Sequence, residues 1–198
     1  MLRRLPFLLL VGLVGCGDAP NDAPPVPIAI DLPKGERVEN PAYANWAAFP
    51  VGTVVERKSV TEEIGRPDKT TTTSTFTLVA KTDTSITIEL KTRTTRYDGF
   101  VMDNPSDRFS TDRYFYLPPG RKPADPTPLK EIDTPLIVAG KPYRVRFVES
   151  RDRNEGGEVL VKTWTSDAMP GGLVKSITET PGVKKRTTIE ATAVTLPR

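Results

Sequence analysis

Apolar and polar residues alternate with a period of two over most of the chain after about residue 50. Ile86, Ile88 and Leu90, for example, are separated by single polar residues, and the same alternation recurs at about 143–147 and 188–193. Successive side chains of a strand point to opposite faces of a sheet, so this pattern predicts strands with one face on a core and one in water.

Gly- and Pro-containing turns separate these runs, and short strands joined in this way are typical of an antiparallel meander. The predicted strands lie at about 52–61, 71–81, 84–95, 113–117, 143–150, 158–165, 173–179 and 184–195. A short helix or helical turn is predicted at 41–47. We therefore expect 41–198 to be a single all-β domain, an antiparallel meander of about 7–8 strands forming a strongly curved sheet, an open barrel or a sandwich.

A long proline-rich loop is predicted at 98–135, and it interrupts the meander. Long loops that carry no regular structure are usually functional or disordered. Tyr114 and Tyr116 lie within this segment and are candidate binding residues, since tyrosine offers flat apolar area and a hydroxyl group. Alternatively, the segment is a short strand whose Phe115 enters the core. The mixed charge of the loop suits a neutral or protein partner held by aromatic contact.

Trp164 is the third candidate binding residue. It ends a predicted strand and is followed by Pro170-Gly171-Gly172, which is typical of a sharp turn that requires positive φ. The tryptophan either pins this hairpin by partial burial or faces a ligand.

The N-terminus departs from the period-two pattern. Arg3 and Arg4 precede a continuous apolar segment at 5–14, which has the length of a secretory signal and is too short to span a membrane as a helix. The segment ends in Leu13-Val14-Gly15-Cys16, which resembles the lipobox of bacterial lipoproteins. That resemblance implies that residues 1–15 are a signal peptide and that Cys16 is the lipidated N-terminus of the mature protein.

Cysteine content agrees with this interpretation, because Cys16 is the only cysteine and no disulfide can form within the chain. Acyl chains on one residue give membrane anchoring. The proline-rich segment after it, 16–40, is expected to be a tether between membrane and domain, and 28–32 could add a short edge strand. In envelopes with two membranes, Asp directly after the lipidated Cys retains a lipoprotein in the inner membrane. Gly17 occupies that position in this chain, so we expect the protein to be anchored in the outer membrane.

Composition argues against several functions. The chain has 28 Lys and Arg against 25 Asp and Glu, and because Arg3 and Arg4 leave with the signal peptide, the mature chain is nearly neutral. We therefore expect no nucleic-acid partner. The chain has no histidine, and its one thiol is at the lipobox. We expect no metal site, no cofactor and no catalytic residues, so the protein is not expected to be an enzyme.

In outline, the lipobox, tether and curved sheet are similar to periplasmic lipoprotein carriers of the LolA, LolB and LppX type, which shelter acyl chains in an open barrel. The resemblance is architectural and assigns no residue. It leaves two hypotheses. The first is a non-catalytic envelope lipoprotein that binds another protein or a surface polymer. The second is a carrier with an apolar cavity for a lipid-like ligand.

Overall fold

The computed structural model describes residues 35–120, 130–154 and 157–197, with the side chains of 130–134 and 152–154 left out. This part of the chain is almost entirely β structure. The strands are β1 (Arg37–Glu39), β2 (Val54–Glu63), β3 (Lys69–Lys81), β4 (Ser85–Thr95), β5 (Val101–Asp103), β6 (Asp107–Asp112), β7 (Tyr114–Tyr116), β8 (Lys130–Val138), β9 (Lys141–Asn154), β10 (Gly157–Thr165), β11 (Leu173–Thr180) and β12 (Lys185–Thr195). One helix, α1 (Pro41–Ala47), precedes β2, and a short 3-10 helix (Pro181–Val183) precedes β12.

Ten of these strands form one antiparallel sheet in the order β5-β4-β3-β2-β12-β11-β10-β9-β8, with β6 also paired to β4. Most neighbours in the sheet are neighbours in sequence, which confirms the all-β antiparallel meander. The sheet is not closed into a barrel. The pairing of β12 with β2, from Lys185 opposite Glu63 to Thr195 opposite Val54, joins the two halves of the chain.

Helix α1 begins where the sequence predicts it. The Asn40 side chain accepts a hydrogen bond from the Ala42 backbone N–H at 3.0 Å, and Pro41 occupies the first turn, where it forfeits no hydrogen bond. Tyr43 and Trp46, three residues apart, lie on one side of the helix and are both buried. They join the aliphatic side chains of the sheet in one core cluster. Its fully buried members include Val55, Leu78, Ile86, Ile88 and Met169.

The segment predicted as a long loop contains strands β5, β6 and β7 and the beginning of β8. Strand β6 pairs with β4 from Asp107 opposite Leu90 to Asp112 opposite Ser85. The side chains of β6 are almost all exposed, so no apolar alternation marks it in the sequence. Its backbone hydrogen bonds to β4 define it as a strand, and these depend on tertiary structure.

A separate two-stranded sheet holds the start of the described chain. Strand β1 pairs with β7, from Arg37 opposite Tyr116 to Glu39 opposite Tyr114. The predicted strand at 113–117 is thus present as β7. The predicted edge strand at 28–32, most of the tether and Cys16 lie outside the described residues.

Candidate functional site

The large sheet has two ends that differ in what covers them. The proximal end carries α1, the turn 82–84 and the loop 166–172; there the Tyr43 hydroxyl donates to the Thr82 carbonyl at 2.8 Å. The Asn40 N–H donates to the Arg113 carbonyl at 2.7 Å, so the described chain enters at this end. The distal end carries the turns 64–68 and 96–100 and the 3-10 helix Pro181–Val183, which the strand registers place at the same edge of the sheet.

The predicted tyrosine pair lies at the proximal end, and its two members are in different environments. The guanidinium of Arg37 lies 3.6 Å from the centre of the Tyr114 ring, and that of Arg113 lies 5.2 Å from it. Arg113 also donates to Glu39 at 3.0 Å, and this contact raises the pKa of Arg113 above its usual value. Tyr114 is therefore held by neighbouring arginines, whereas Tyr116 is 59% exposed.

Trp164 belongs to the large sheet and packs within it. Its ring centre is 4.9 Å from that of Phe147 on the neighbouring strand, with the planes tilted by 41°. It also packs against the main core cluster, and Lys175 Nζ lies 5.9 Å from the centre of its ring. This packing favours the hairpin-pinning interpretation. Among the described residues, no aromatic contact joins Trp164 to the tyrosine pair.

The distal end presents a group of exposed apolar side chains that the alternation pattern of the sequence does not reveal. The group, which we call the distal patch, consists of Ile64, Tyr97, Phe100, Val101, Met102 and Val183, each between 44% and 62% exposed. The Ile64 N–H donates to the Lys184 carbonyl at 2.6 Å, which joins two of the turns. Tyr97 and Val183 line the same cleft of about 280 Å³, together with Thr61, Thr70 and Lys185.

The hairpin that carries most of the distal patch is rigidly bonded. The Arg96 N–H donates to the Phe100 carbonyl at 2.9 Å, and the Asp98 carboxylate accepts from the Phe100 N–H at 3.1 Å. Gly99 has φ of +81°, which a side chain would strain. A signal was present in the sequence, because Asp98-Gly99 is a strong hairpin turn and aromatic residues flank it. The sequence could not show that these aromatic residues stay uncovered.

Arg57 lies at the edge of the core. It has no counter-ion within the described chain. Its Nη2 donates to the carbonyls of Pro170 and Gly171 at 3.5 Å, the far limit of a hydrogen bond, and its buried Nε has no partner. The guanidinium also lies 4.8 Å from the centre of the Phe76 ring. Burial lowers the pKa of Arg57 to about 10.

Chemically, the described residues offer binding groups and no assembled catalytic set. Within residues 35–120, 130–154 and 157–197, no group of three or more His, Cys, Asp or Glu side chains could hold a metal ion. None of the helices in that part is long and apolar enough to cross a membrane. Glu62 and Glu89 have lowered pKa values, because Lys69 and Arg108 respectively donate to their carboxylates, which is typical of ordinary surface ion pairs.

The sequence matches no known protein family, and none of the curated proteins matches it significantly.

Proposed function

We propose that this protein is a non-catalytic, membrane-anchored lipoprotein of the bacterial envelope that binds another protein through the distal patch. The observation that carries the proposal is the exposure of six large apolar side chains at the distal end of the sheet, four on its turns and two in β5. Exposed apolar groups of this kind, surrounded by polar residues, are characteristic of interaction surfaces.

The rigid hairpin at 96–100 supports a binding role. Its hydrogen bonds fix the backbone that carries Tyr97 and Phe100 before any partner arrives. A backbone ordered in advance lowers the entropy lost on binding, and aromatic side chains on it are effective anchors of protein interfaces.

The charges around the distal patch favour a protein partner over an anionic polymer or lipid surface. Most of the basic groups there are already paired with carboxylates. The ion pairs are Arg66–Glu63, Lys69–Glu62, Arg93–Asp103, Arg96–Asp98 and Arg186–Glu179. A surface with balanced, paired charge has little long-range attraction for a polyanion.

The alternative function, a carrier with an apolar cavity, has less support in the described chain. The cleft beside Tyr97 is small, and the charged residues Glu62, Glu63, Asp68 and Lys185 line part of it. A second cleft, of about 550 Å³, is lined by polar and charged residues that include Lys91, Arg93 and Asp103. An acyl chain is best held by a lining without charged side chains, and charged side chains stand in the lining of both clefts.

The position of the distal patch fits an anchor attached to the other end of the domain. The described chain begins at the proximal end, so a lipid on Cys16 is connected to the domain there. The distal patch then lies at the end of the sheet remote from the point of attachment. With Gly17 after Cys16, we propose the outer membrane as the anchoring membrane where the cell has two.

Crosslinking from defined positions in living cells tests this function. A photoreactive phenylalanine analogue at position 97 or 100 is expected to give one discrete protein adduct. The same analogue at position 116 is the matched control, since Tyr116 is as exposed as Tyr97 but lies at the proximal end. The adduct from position 97 should be lost in Phe100→Ser, while far-UV circular dichroism stays unchanged.

Three results would count against the proposal. These are the absence of a protein adduct from both distal positions, an equally strong adduct from position 116, and an adduct that survives Phe100→Ser. Crosslinks from positions 97 and 100 to polysaccharide alone would show that the partner is a surface polymer and not a protein.

A further inference from the structure

We propose that the cleft of about 550 Å³ beside strand β5 binds an uncharged sugar, either free or as one unit of a polysaccharide. Its volume lies within the range of small-molecule sites, about 300–1,000 Å³. All the residues that line it are polar or charged, and none of them belongs to the distal patch. The site is therefore separate from the surface proposed to bind a protein.

An interruption in the pairing along β4 opens this cleft. Strand β5 pairs with β4 as far as Asp103 opposite Arg93, and β6 resumes the pairing at Asp107 opposite Leu90. The pairing thus skips residues 91–92, and the cleft lies there. The chain between β5 and β6 is held to the edge by Asn104. Its N–H donates to the Thr92 carbonyl at 3.0 Å, and its side-chain amide donates to Thr92 Oγ1 at 2.8 Å.

The strand register brings four of the lining side chains together. Thr73 lies opposite Arg93, and Thr75 lies opposite Lys91. Residues that are directly opposite or two apart share a face, so all four are on one face, about 5 Å apart across the strands and about 7 Å apart along them. Leu78, at an alternate position of β3, is fully buried, so the four side chains point away from the core. They offer polar groups over the span of a single sugar ring.

The polar groups in the cleft include both donors and acceptors that remain available. Among the described residues, the hydroxyls of Thr73 and Thr75 make no side-chain hydrogen bond. Arg93 lies 3.0 Å from Asp103 through its Nε, one of several donor nitrogens on the guanidinium. The amide of Asn104 uses its nitrogen for Thr92, which leaves its oxygen as an acceptor. A sugar carries several hydroxyls that each donate and accept, so it can pair with all of these groups together.

The charges in the cleft favour an uncharged ligand. Lys91 Nζ lies 3.3 Å from the Glu89 carboxylate, and Arg93 is paired with Asp103. Because both cations have an acidic partner, the cleft has little excess charge to attract an anion. An apolar ligand would leave these charged groups without water or hydrogen-bond partners, which is costly. A neutral ligand rich in hydroxyls avoids both problems.

Ligand-observed NMR measures the binding of weakly held sugars directly. The full-length protein is purified from membranes in a detergent without a sugar group, because a maltoside detergent would compete for the cleft. D-Glucose, D-galactose and N-acetyl-D-glucosamine are titrated in turn, and glycerol serves as a polyol that lacks a ring. We expect saturable magnetisation transfer from the protein to at least one of the three sugars and none to glycerol.

Matched threonine variants locate the binding. Thr73→Val and Thr75→Val each remove one hydroxyl and keep the shape and the strand preference of the side chain. Each should weaken sugar binding about two- to tenfold, the range for one neutral hydrogen bond. Thr71→Val should bind as the parent does, because Thr71 is on the same face of β3 but lies opposite Thr95, outside the cleft. Circular dichroism checks that each variant is folded.

Fragments of the polysaccharide on the surface of the same cells distinguish the two sources of the sugar. Tighter binding of the fragments than of their monosaccharides identifies a polymer unit as the ligand, and equal binding identifies a free sugar.

The proposal is overturned if no sugar or fragment binds saturably, or if Thr71→Val weakens binding as much as Thr73→Val and Thr75→Val do. Binding of D-glucuronic acid without binding of any neutral sugar would mean an anion site and would likewise overturn it. Phe100→Ser should bind the sugars as the parent protein does, so the outcome for the distal patch is tested separately.

Discussion

At the scale of single residues, the main finding is the buried position of Arg57, which is expected to lower the stability of the fold. The sequence places Arg57 in a period-two strand, where a charged residue is expected to face solvent. The structure places it on the same face as Val55, which is fully buried, with the ring of Phe76 beside it. A buried charge that has no counter-ion within the described chain is expected to lower stability, and residues of that kind are more frequent at functional sites.

A first prediction follows for stability. Arg57→Met should raise the free energy of unfolding at pH 7, on the order of 1–3 kcal/mol, because an uncompensated buried charge is replaced by an apolar side chain of similar length. The folded-state pKa is lowered, so the destabilisation is fully present below pH 10 and decreases as the pH rises through that value. Urea denaturation of the two proteins measures the difference.

Arg113→Met is the control for that measurement. Arg113 is already paired with Glu39, so its loss should leave stability unchanged or slightly lower. If Arg57→Met is instead the less stable protein, the guanidinium is a structural bridge to the loop 166–172 and not an unneutralised charge.

At the scale of elements, strand β6 shows how a segment without sequence pattern becomes ordered. Its backbone pairs with β4, and one cross-strand charge cluster reinforces that pairing. The Glu89 carboxylate accepts from Arg108 Nε at 3.2 Å and Nη2 at 3.1 Å, and it lies 3.3 Å from Lys91 Nζ. These contacts lower the pKa of Glu89.

Glu89→Gln should therefore loosen β6 and leave the rest of the sheet intact. We expect amide hydrogen exchange in Asp107–Asp112 to accelerate by a factor of about 2 to 5, the range for an exposed ion pair. In the parent protein, the same protection should be present above the usual glutamate pKa and fall as the pH drops through the lowered one. Exchange measured by mass spectrometry at several pH values gives both results.

Glu158→Gln is the matched control for the exchange experiment. Glu158 is paired with Arg151, far from β6 in the sheet order, so its loss should not change exchange in β6. Equal acceleration in both variants, or none in Glu89→Gln, would show that backbone pairing alone holds the strand.

At the scale of the whole molecule, the chain combines a domain whose two ends differ with an N-terminal segment predicted to carry a lipid. The described fold begins near Arg37, well after Cys16, and its first strand is fixed to β7. We therefore expect the domain to fold in the same way with or without the anchor.

Cys16→Ser should abolish incorporation of labelled palmitate while the circular dichroism of the purified domain stays the same. The companion variant Gly17→Asp keeps the cysteine and should keep the label. In a host that uses the Asp retention rule, it should move the protein from the outer to the inner membrane. Labelling that persists in Cys16→Ser would falsify lipidation at this site.

The sequence alone determined the strand-rich meander and the position of α1. Alternation of apolar and polar residues and turns that contain Gly or Pro act over a few residues, so they can be recognised locally. They predicted β2, β3, β4 and β9 to within a few residues. They also singled out Tyr114, Tyr116 and Trp164, whose aromatic character is evident without a fold.

Only the tertiary structure decided which residues stay uncovered and which meet. Three sets of contacts join residues far apart in sequence. They are the pairing of β12 with β2, the pairing of β6 with β4, and the approach of Gly171 to Trp46 and Arg57. No local pattern specifies such contacts, because their free energy is gained only when the whole sheet forms. For the same reason, the sequence could not separate the packed Trp164 from the exposed Tyr97.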